Sequence, residues 1–223
     1  MIDSTLGLLG AAEHMDPTRI DKLARQLEKN LKENPNDLQS WLMLGNGYYL
    51  QGKIKMAIAT FEKAINVSPH YPYFHYYLGI CFYRSARIDE AIVSLKKVVD
   101  LSPTLIMVNY WLGIAYFHKG AYIESRGSFE SLLRDNSESF IAHYHAALAC
   151  IAGQDLDGAR THLESLVKLG NSDPQVYLNL GSVYFRLNKL DDAIASYRTG
   201  LEKNPGNIAL QKELSYLTEV PSI

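Results

Sequence analysis

The 223-residue chain is expected to be all-α, a solenoid built from helical hairpins. Three observations predict this. A 34-residue pattern recurs in unbroken phase from Leu38 to Asn207. Its apolar columns follow a helical rather than a strand period. Glycine and proline fall at fixed places, where two helices per unit would turn and then stop. A repeat of this length indicates stacked small units, none of which can bury its apolar face alone.

The register runs through five blocks, 38–71, 72–105, 106–139, 140–173 and 174–207. Position 7 reads Leu44, Leu78, Leu112, Ala146, Leu180, and position 8 reads Gly45, Gly79, Gly113, Ala147, Gly181. Position 11 is Tyr48, Phe82, Tyr116, Cys150, Tyr184, and position 20 is Ala57, Ala91, Ser125, Ala159, Ala193. At position 24 come Phe61, Leu95, Phe129, Leu163 and Tyr197. Positions 4, 7, 8 and 11 share one side of a helix at about 100° per residue, so they are expected to point inward. The small residue at position 8 lets a second helix approach, and the small residue at position 20 suits that contact. Gly52 and Gly120 at position 15, and Gly153 one residue early, mark the turn, because glycine leaves a helix through left-handed angles without a Cβ penalty. Pro69, Pro103 and Pro205 at position 32 end the second helix.

The first unit carries Trp41, Leu44, Gly45, Tyr48, Ala57, Phe61 and Pro69, and on these residues the chain resembles the tetratricopeptide repeat. The resemblance covers 170 of 223 residues, that is 5 × 34. It thins in the third and fourth units at Ser125, Leu132, Ala146 and Cys150, and position 4 passes from Trp41 to His75, Asn109, His143 and Tyr177. It implies a right-handed α-α superhelix whose first helices line a concave groove used for protein–protein contacts. Members that clamp the C-terminal carboxylates of chaperones place Lys, Asn and Arg at set groove positions. Asn46 matches one such place, but Leu42, Tyr77 and Met107 do not match the others, so no carboxylate clamp is expected.

The segment 1–16 is apolar through Leu6–Ala12. Residues 17–37 read as a half-repeat helix, with Leu23, Leu27 and Leu31 on one side, and residues 208–220 read as a C-terminal capping helix with Leu210, Leu214 and Leu217. Solenoid growth accounts for a chain of this length remaining one domain.

The net charge of −2 supplies no field to recruit nucleic acid or an anionic membrane. No apolar run is long enough to span a bilayer, and Asp3 in place of basic residues argues against a secretory signal. Cys81 and Cys150 lie two units apart, beyond disulfide reach, and are expected as buried free thiols in a reducing, cytoplasmic setting. No catalytic constellation, phosphate loop, cofactor site or metal site is expected. His143 and His145 point about 200° apart on a helix, and His75 and His143 replace the Trp column as core imidazoles.

The groove face carries the functional expectation. Positions 2, 5, 9 and 12 of the first helices cluster near 160°, whereas the core stripe centres near 30°, at about 100° per residue. In the three middle units these positions are all apolar or aromatic: Tyr73, Tyr76, Ile80, Tyr83; Met107, Tyr110, Ile114, Phe117; Ile141, Tyr144, Leu148, Ile151. Tyr49 and Phe185 extend the stripe, Arg84, His118 and Arg186 share position 13, and Tyr77, Trp111 and His145 share position 6. Positions 6 and 13 are divided evenly between packing and groove. The first-helix windows contain no Asp or Glu, although the chain has 24 acids. The expected function is a non-enzymatic adaptor or scaffold holding a protein or peptide ligand by apolar and aromatic anchors. The alternative is a self-assembling homo-oligomer in which the N-terminal segment docks into a neighbour's groove, or into its own.

Overall fold

The computed structural model describes residues 17–219. The N-terminal segment 1–16, with its expected docking role, lies outside them. All regular structure among the described residues is helical, in the order α1 Pro17–Glu33, α2 Leu38–Leu50, α3 Ile54–Val67, α4 Pro72–Arg84, α5 Ile88–Leu101, α6 Val108–Lys119, α7 Tyr122–Leu133, α8 Phe140–Ala152, α9 Leu156–Lys168, α10 Pro174–Arg186, α11 Leu190–Lys203 and α12 Ile208–Glu219. The architecture is an all-α helical repeat, with even-numbered helices from α2 as first helices and odd-numbered helices from α3 as second helices. It divides into two compact units, Met1–Trp111 and Leu112–Ile223, each described by itself.

Within four of the five hairpins the two helices meet where a side chain is missing, and in the fourth the small Ala147 stands at the same position. A Cβ built on Gly79 would lie 2.6 Å from Leu95 Cγ, and one on Gly113 would lie 2.6 Å from Phe129 Cζ. Gly45 meets Phe61, and Gly181 meets Tyr197, in the same way. Position 8 therefore receives the side chain of position 24, which is sealed in every unit. Position 20 is fully buried as well, and where Ser125 replaces alanine its hydroxyl donates to the Gly113 carbonyl at 2.8 Å. That bond makes the substitution compatible with burial.

The turn after each first helix takes left-handed angles at position 15 whatever the residue: Gly52 (φ 72°), Ala86 (58°), Gly120 (81°), Gln154 (64°) and Asn188 (59°). Gly153 is not the left-handed residue of its unit; it caps α8 at φ −80°. The register fixes which position must bend, and glycine is only its cheapest occupant.

The inward stripe differs from the expected one. Position 3 (Phe74, Val108, Ala142, Val176) and position 10 (Cys81, Ala115, Ala149, Val183) are buried, whereas Trp41, His75 and His143 at position 4 are half-exposed. First helices such as α4, α8 and α10 pack against two second helices, their own and the preceding one, which widens and rotates the buried arc. Position 4 is instead a polar tie to the preceding helix end. Trp41 Nε1 donates to the Pro35 carbonyl at 2.8 Å, and Tyr177 Oη to the Asn171 carbonyl at 2.8 Å. His75 and His143 reach the Pro69 and Ser137 carbonyls at 2.9 and 3.0 Å. They are carbonyl ties rather than core imidazoles.

Helix α1 holds the place of a second helix. Tyr48 donates to Glu28 at 2.6 Å, as Tyr184 donates to Glu164 at 2.7 Å, with the same 20-residue separation. Helix α12 keeps repeat phase too, since Gln211 Nε2 donates to the Pro205 carbonyl at 2.9 Å. Helix α6 starts only at Val108. Leu105 stands where Asp37, Ser139 and Asp173 cap other first helices with their side chains, and no proline follows it. Cys81 and Cys150 are buried and free; burial raises their thiols to about 12 and about 11.

In the second unit a polar chain replaces part of the apolar contact. The Ser137 carbonyl can only accept, so His143 Nε2 donates to it, and His143 Nδ1 shares a hydrogen bond with His162 Nδ1 at 3.1 Å. His162 Nε2 faces Glu130 Oε1 at 3.5 Å, and Glu130 also lies 3.5 Å from Arg126 Nε. His145 stacks on Phe129, with ring centroids 5.1 Å apart. Burial holds both the His145 and the His162 imidazole below the ordinary range; His143 and Arg126 reinforce this at His162, while Glu130 opposes it.

Gly79→Ala should lower unfolding stability by about 1–3 kcal/mol through overpacking. Gly127→Ala, in α7 with no neighbour within 4 Å, should raise it by up to about 1 kcal/mol in the same urea titration. The depressed histidines make the unfolded state the better proton acceptor. Their contribution is therefore complete above about pH 6.5 and is lost as pH falls through the lower folded values. Thermal melts should show a lower Tm near about pH 5 than near about pH 7.5, and His145→Phe should narrow that difference.

Candidate functional site

In the first unit the aromatic face is assembled by α2, α4 and the first turn of α6. Tyr73, Tyr76, Tyr83, Tyr110, Trp111 and Tyr49 are all half-buried on it. Trp111 ties the group together: its indole N–H donates to the Tyr76 hydroxyl at 3.1 Å, and its ring meets Tyr83 and Tyr110 edge-on at 5.8 and 5.7 Å. Tyr76 meets Tyr77 edge-on at 5.3 Å. These edge-to-face contacts fix ring orientations while leaving part of each ring outside the core.

Two of the expected face residues are used otherwise. Ile80, at position 9, is 6% exposed and is the floor of the face rather than a contact surface. Tyr77 stacks on Phe61 at 5.7 Å with planes 13° apart, so the ring received by Gly45 is closed on its other side by the next repeat. Asn46, also at position 9, is buried and hydrogen-bonds the Tyr77 hydroxyl. Burial raises the Tyr76 and Tyr77 hydroxyls above the usual phenol range, although the bonds from Trp111 and Asn46 pull the other way. Both remain neutral O–H groups at physiological pH.

Charge is thin on this face. Helices α2 and α4 contain no Asp or Glu, and Arg84 is the single charged residue in their sequences. Arg84 is exposed, and its guanidinium carbon lies 4.8 Å over the centroid of the Tyr49 ring.

The second unit carries a sparser face. Ile114, Phe117, Tyr144 and Leu148 are half-buried, whereas His118, Phe185 and Arg186 are exposed. Phe117 meets Tyr122 edge-on at 5.5 Å, and Tyr144 meets His145 at 5.8 Å. Arg186 hydrogen-bonds the Gln154 side chain. Ile141 and Phe140, 61% and 43% exposed, add apolar surface at the start of α8. The stripe at positions 2, 5, 9 and 12 does not include Phe140; its signal is an aromatic at position 1, where other units have Leu38, Pro72, Ile106 and Pro174.

A separate cleft of about 310 Å3 in the second unit is lined by Glu164, Tyr177, Leu180, Tyr184 and Asp192, among others. It is bordered by the Tyr184–Glu164 bond, and none of the residues expected to bind is among those lining it. Among the described residues no cluster of three or more His, Cys, Asp or Glu side chains could hold a metal ion, and no helix is long and apolar enough to cross a membrane. The first-unit face offers hydrophobic area, phenolic donors and one seated cation.

Comparison with known proteins finds the same type of repeat. A family model described as TPR repeat matches residues 45–86, and three described as tetratricopeptide repeat match 74–104, 112–174 and 174–207. Superkiller protein 3 of Saccharomyces cerevisiae is 30% identical over 64 residues, a stretch amounting to 29% of this chain and 4% of that much longer protein. Among solved structures, YrrB, described as a TPR protein with an unusual peptide-binding site, superposes with a TM-score of 0.74 at 15% identity, covering 85% of this chain and 97% of its own. MamA superposes at 0.70 and 21% identity, covering 83% and 97%. PilF of Pseudomonas aeruginosa superposes at 0.68 and 18% identity, covering 96% and 95%. At these identities the structural likenesses establish the fold.

Proposed function

This chain belongs to the tetratricopeptide-repeat family, and on that premise we propose that it is a non-enzymatic adaptor or scaffold that captures protein segments by their apolar and aromatic side chains. The observation that carries the reading is the ring cluster of the first unit. Tyr76, Tyr83, Tyr110 and Trp111 are locked against one another, are only half-buried, and lie on helices without acidic residues. Each of these rings is only partly covered by its neighbours, and several of them held in one orientation leave a contiguous contact surface.

The mechanism is preorganisation. Rings fixed by edge-to-face contacts and by the Trp111–Tyr76 bond lose little rotamer freedom on contact, so the partner bears most of the ordering cost. Each apolar anchor sealed against such a surface contributes roughly 1.5–3 kcal/mol. Two or three anchors are then enough for about micromolar affinity after association costs. The Tyr76 hydroxyl accepts from Trp111 and keeps its own proton to donate to a partner's backbone carbonyl. The buried free thiols fit a protein that works in a reducing compartment, and the cytoplasm is the proposed setting.

Affinity capture with the full chain tests the reading. Tyr76→Ala combined with Tyr110→Ala should weaken binding of captured segments by about a hundredfold, roughly 2–3 kcal/mol. Helical circular dichroism should be retained and Tm should fall only slightly. Collapse of helicity in the double variant, or unchanged capture, would reassign the rings to packing.

A further inference from the structure

Cations at the turn ends of the first unit have different fates. Lys53 pairs with Asp21 at 2.8 Å, and Arg87 pairs with Glu90 at 2.9 Å while lying over Phe82. Arg84, between them in sequence, pairs with no carboxylate among the described residues. It is placed instead over Tyr49, the position-12 ring of the preceding first helix. The cation is attracted to the electron-rich face of the Tyr49 ring, which holds it in place. With no carboxylate partner among the described residues, its planar fork is available to a ligand's carboxylate, which it matches with two parallel hydrogen bonds. Its own helix and that of Tyr49 offer no acid, and Glu90, in the first turn of α5, is paired with Arg87.

Arg84 also stands at a defined distance from the anchor seat. It follows Tyr76 by eight residues on α4, or about 12 Å along the axis. An extended peptide covers that span in roughly three to four residues. Position 13 is distinct from the clamp places held here by Leu42, Asn46, Tyr77 and Met107.

We infer that the first-unit face selects acidic segments: an extended peptide with one aromatic or large apolar anchor against Tyr76 and Trp111, and an Asp or Glu three or four residues away held by the Tyr49-backed Arg84. The inference rests on the docking reading of this face and adds the charge and spacing of its ligand. The pair is partly exposed, so its effect is selectivity rather than bulk affinity.

The test uses the full chain and fluorescein-labelled dodecapeptides with one Trp and one Glu, separated by one to six residues in a Ser/Gly background, each with Gln and Lys analogues. Fluorescence anisotropy should show Glu favoured over Gln by about three- to tenfold at spacings of three and four, with Lys weakest. Arg84→Gln, an exposed change that leaves the fold intact, should erase the Glu preference but keep the Trp-dependent binding. Arg84→Glu should transfer the preference to the Lys peptide. Trp-dependent binding that is blind to charge, or a Glu preference that survives Arg84→Gln, would overturn this inference and leave the docking face standing. Absence of binding by every peptide would overturn both.

Discussion

A ring pressed against a helix backbone that lacks a side chain is the contact on which the rest of this structure depends. Gly45 receives Phe61, Gly113 receives Phe129 and Gly181 receives Tyr197, so the two helices of those hairpins close to a distance that a Cβ would forbid. In two places the same ring is used again from its other side, by Tyr77 on Phe61 and by His145 on Phe129. One side chain thereby joins a hairpin and couples it to the next. Stability that accumulates through neighbour contacts of this kind needs no central core.

That arrangement also decides which surfaces are left for other purposes. The arc through positions 3, 7, 8, 10 and 11 is consumed by flanking second helices, and Tyr77 and His145 at position 6 are taken by the ring stacks, whereas Trp111 at the same position joins the face. Positions 2, 5 and 12 border this arc, pack against it along one edge and keep the rest of their surface outside it. Ordinary solvated positions on a helix carry charged or polar residues. Here they carry Tyr73, Tyr76 and Tyr83, then Met107, Tyr110 and Phe117, then Ile141, Tyr144 and Ile151, and their helices carry no acid. Met107 and Ile141 are 60% and 61% exposed, which no packing role requires. An apolar surface larger than the core contact it makes, with charge held back from it, is suited by its physics to binding.

Much of this was legible in the residues. Columns 8, 20 and 24 declare the hairpin contact, because a small residue facing a large one in every repeat is the mark of two helices in close approach. The face was legible for the same reason, as an apolar stripe opposite the core. Other features carried no one-dimensional signal. Burial at positions 3 and 10 comes from the preceding unit's second helix, which a single-helix projection omits. The left-handed turns at Ala86, Gln154 and Asn188 are imposed by register and not by residue type, and Gly153, the apparent marker, sits beside the true one. The position-4 ties could have been read from Trp41, His75, His143 and Tyr177, which share only a polar hydrogen at the end of a ring. The His143–His162 contact joins residues nineteen apart on different helices and needed coordinates to be seen.

The central claim is that one set of rings faces solvent while a chemically identical set is sealed. Fluorine NMR of protein labelled with 3-fluorotyrosine, with a soluble paramagnetic agent added, separates the two directly. Strong relaxation is expected of the Tyr73, Tyr110 and Tyr144 signals, and little effect on Tyr177 and Tyr197, which are 1% and 2% exposed. Equal protection of both sets would contradict the claim, since the face would then be interior and the chain would have only its architecture to offer.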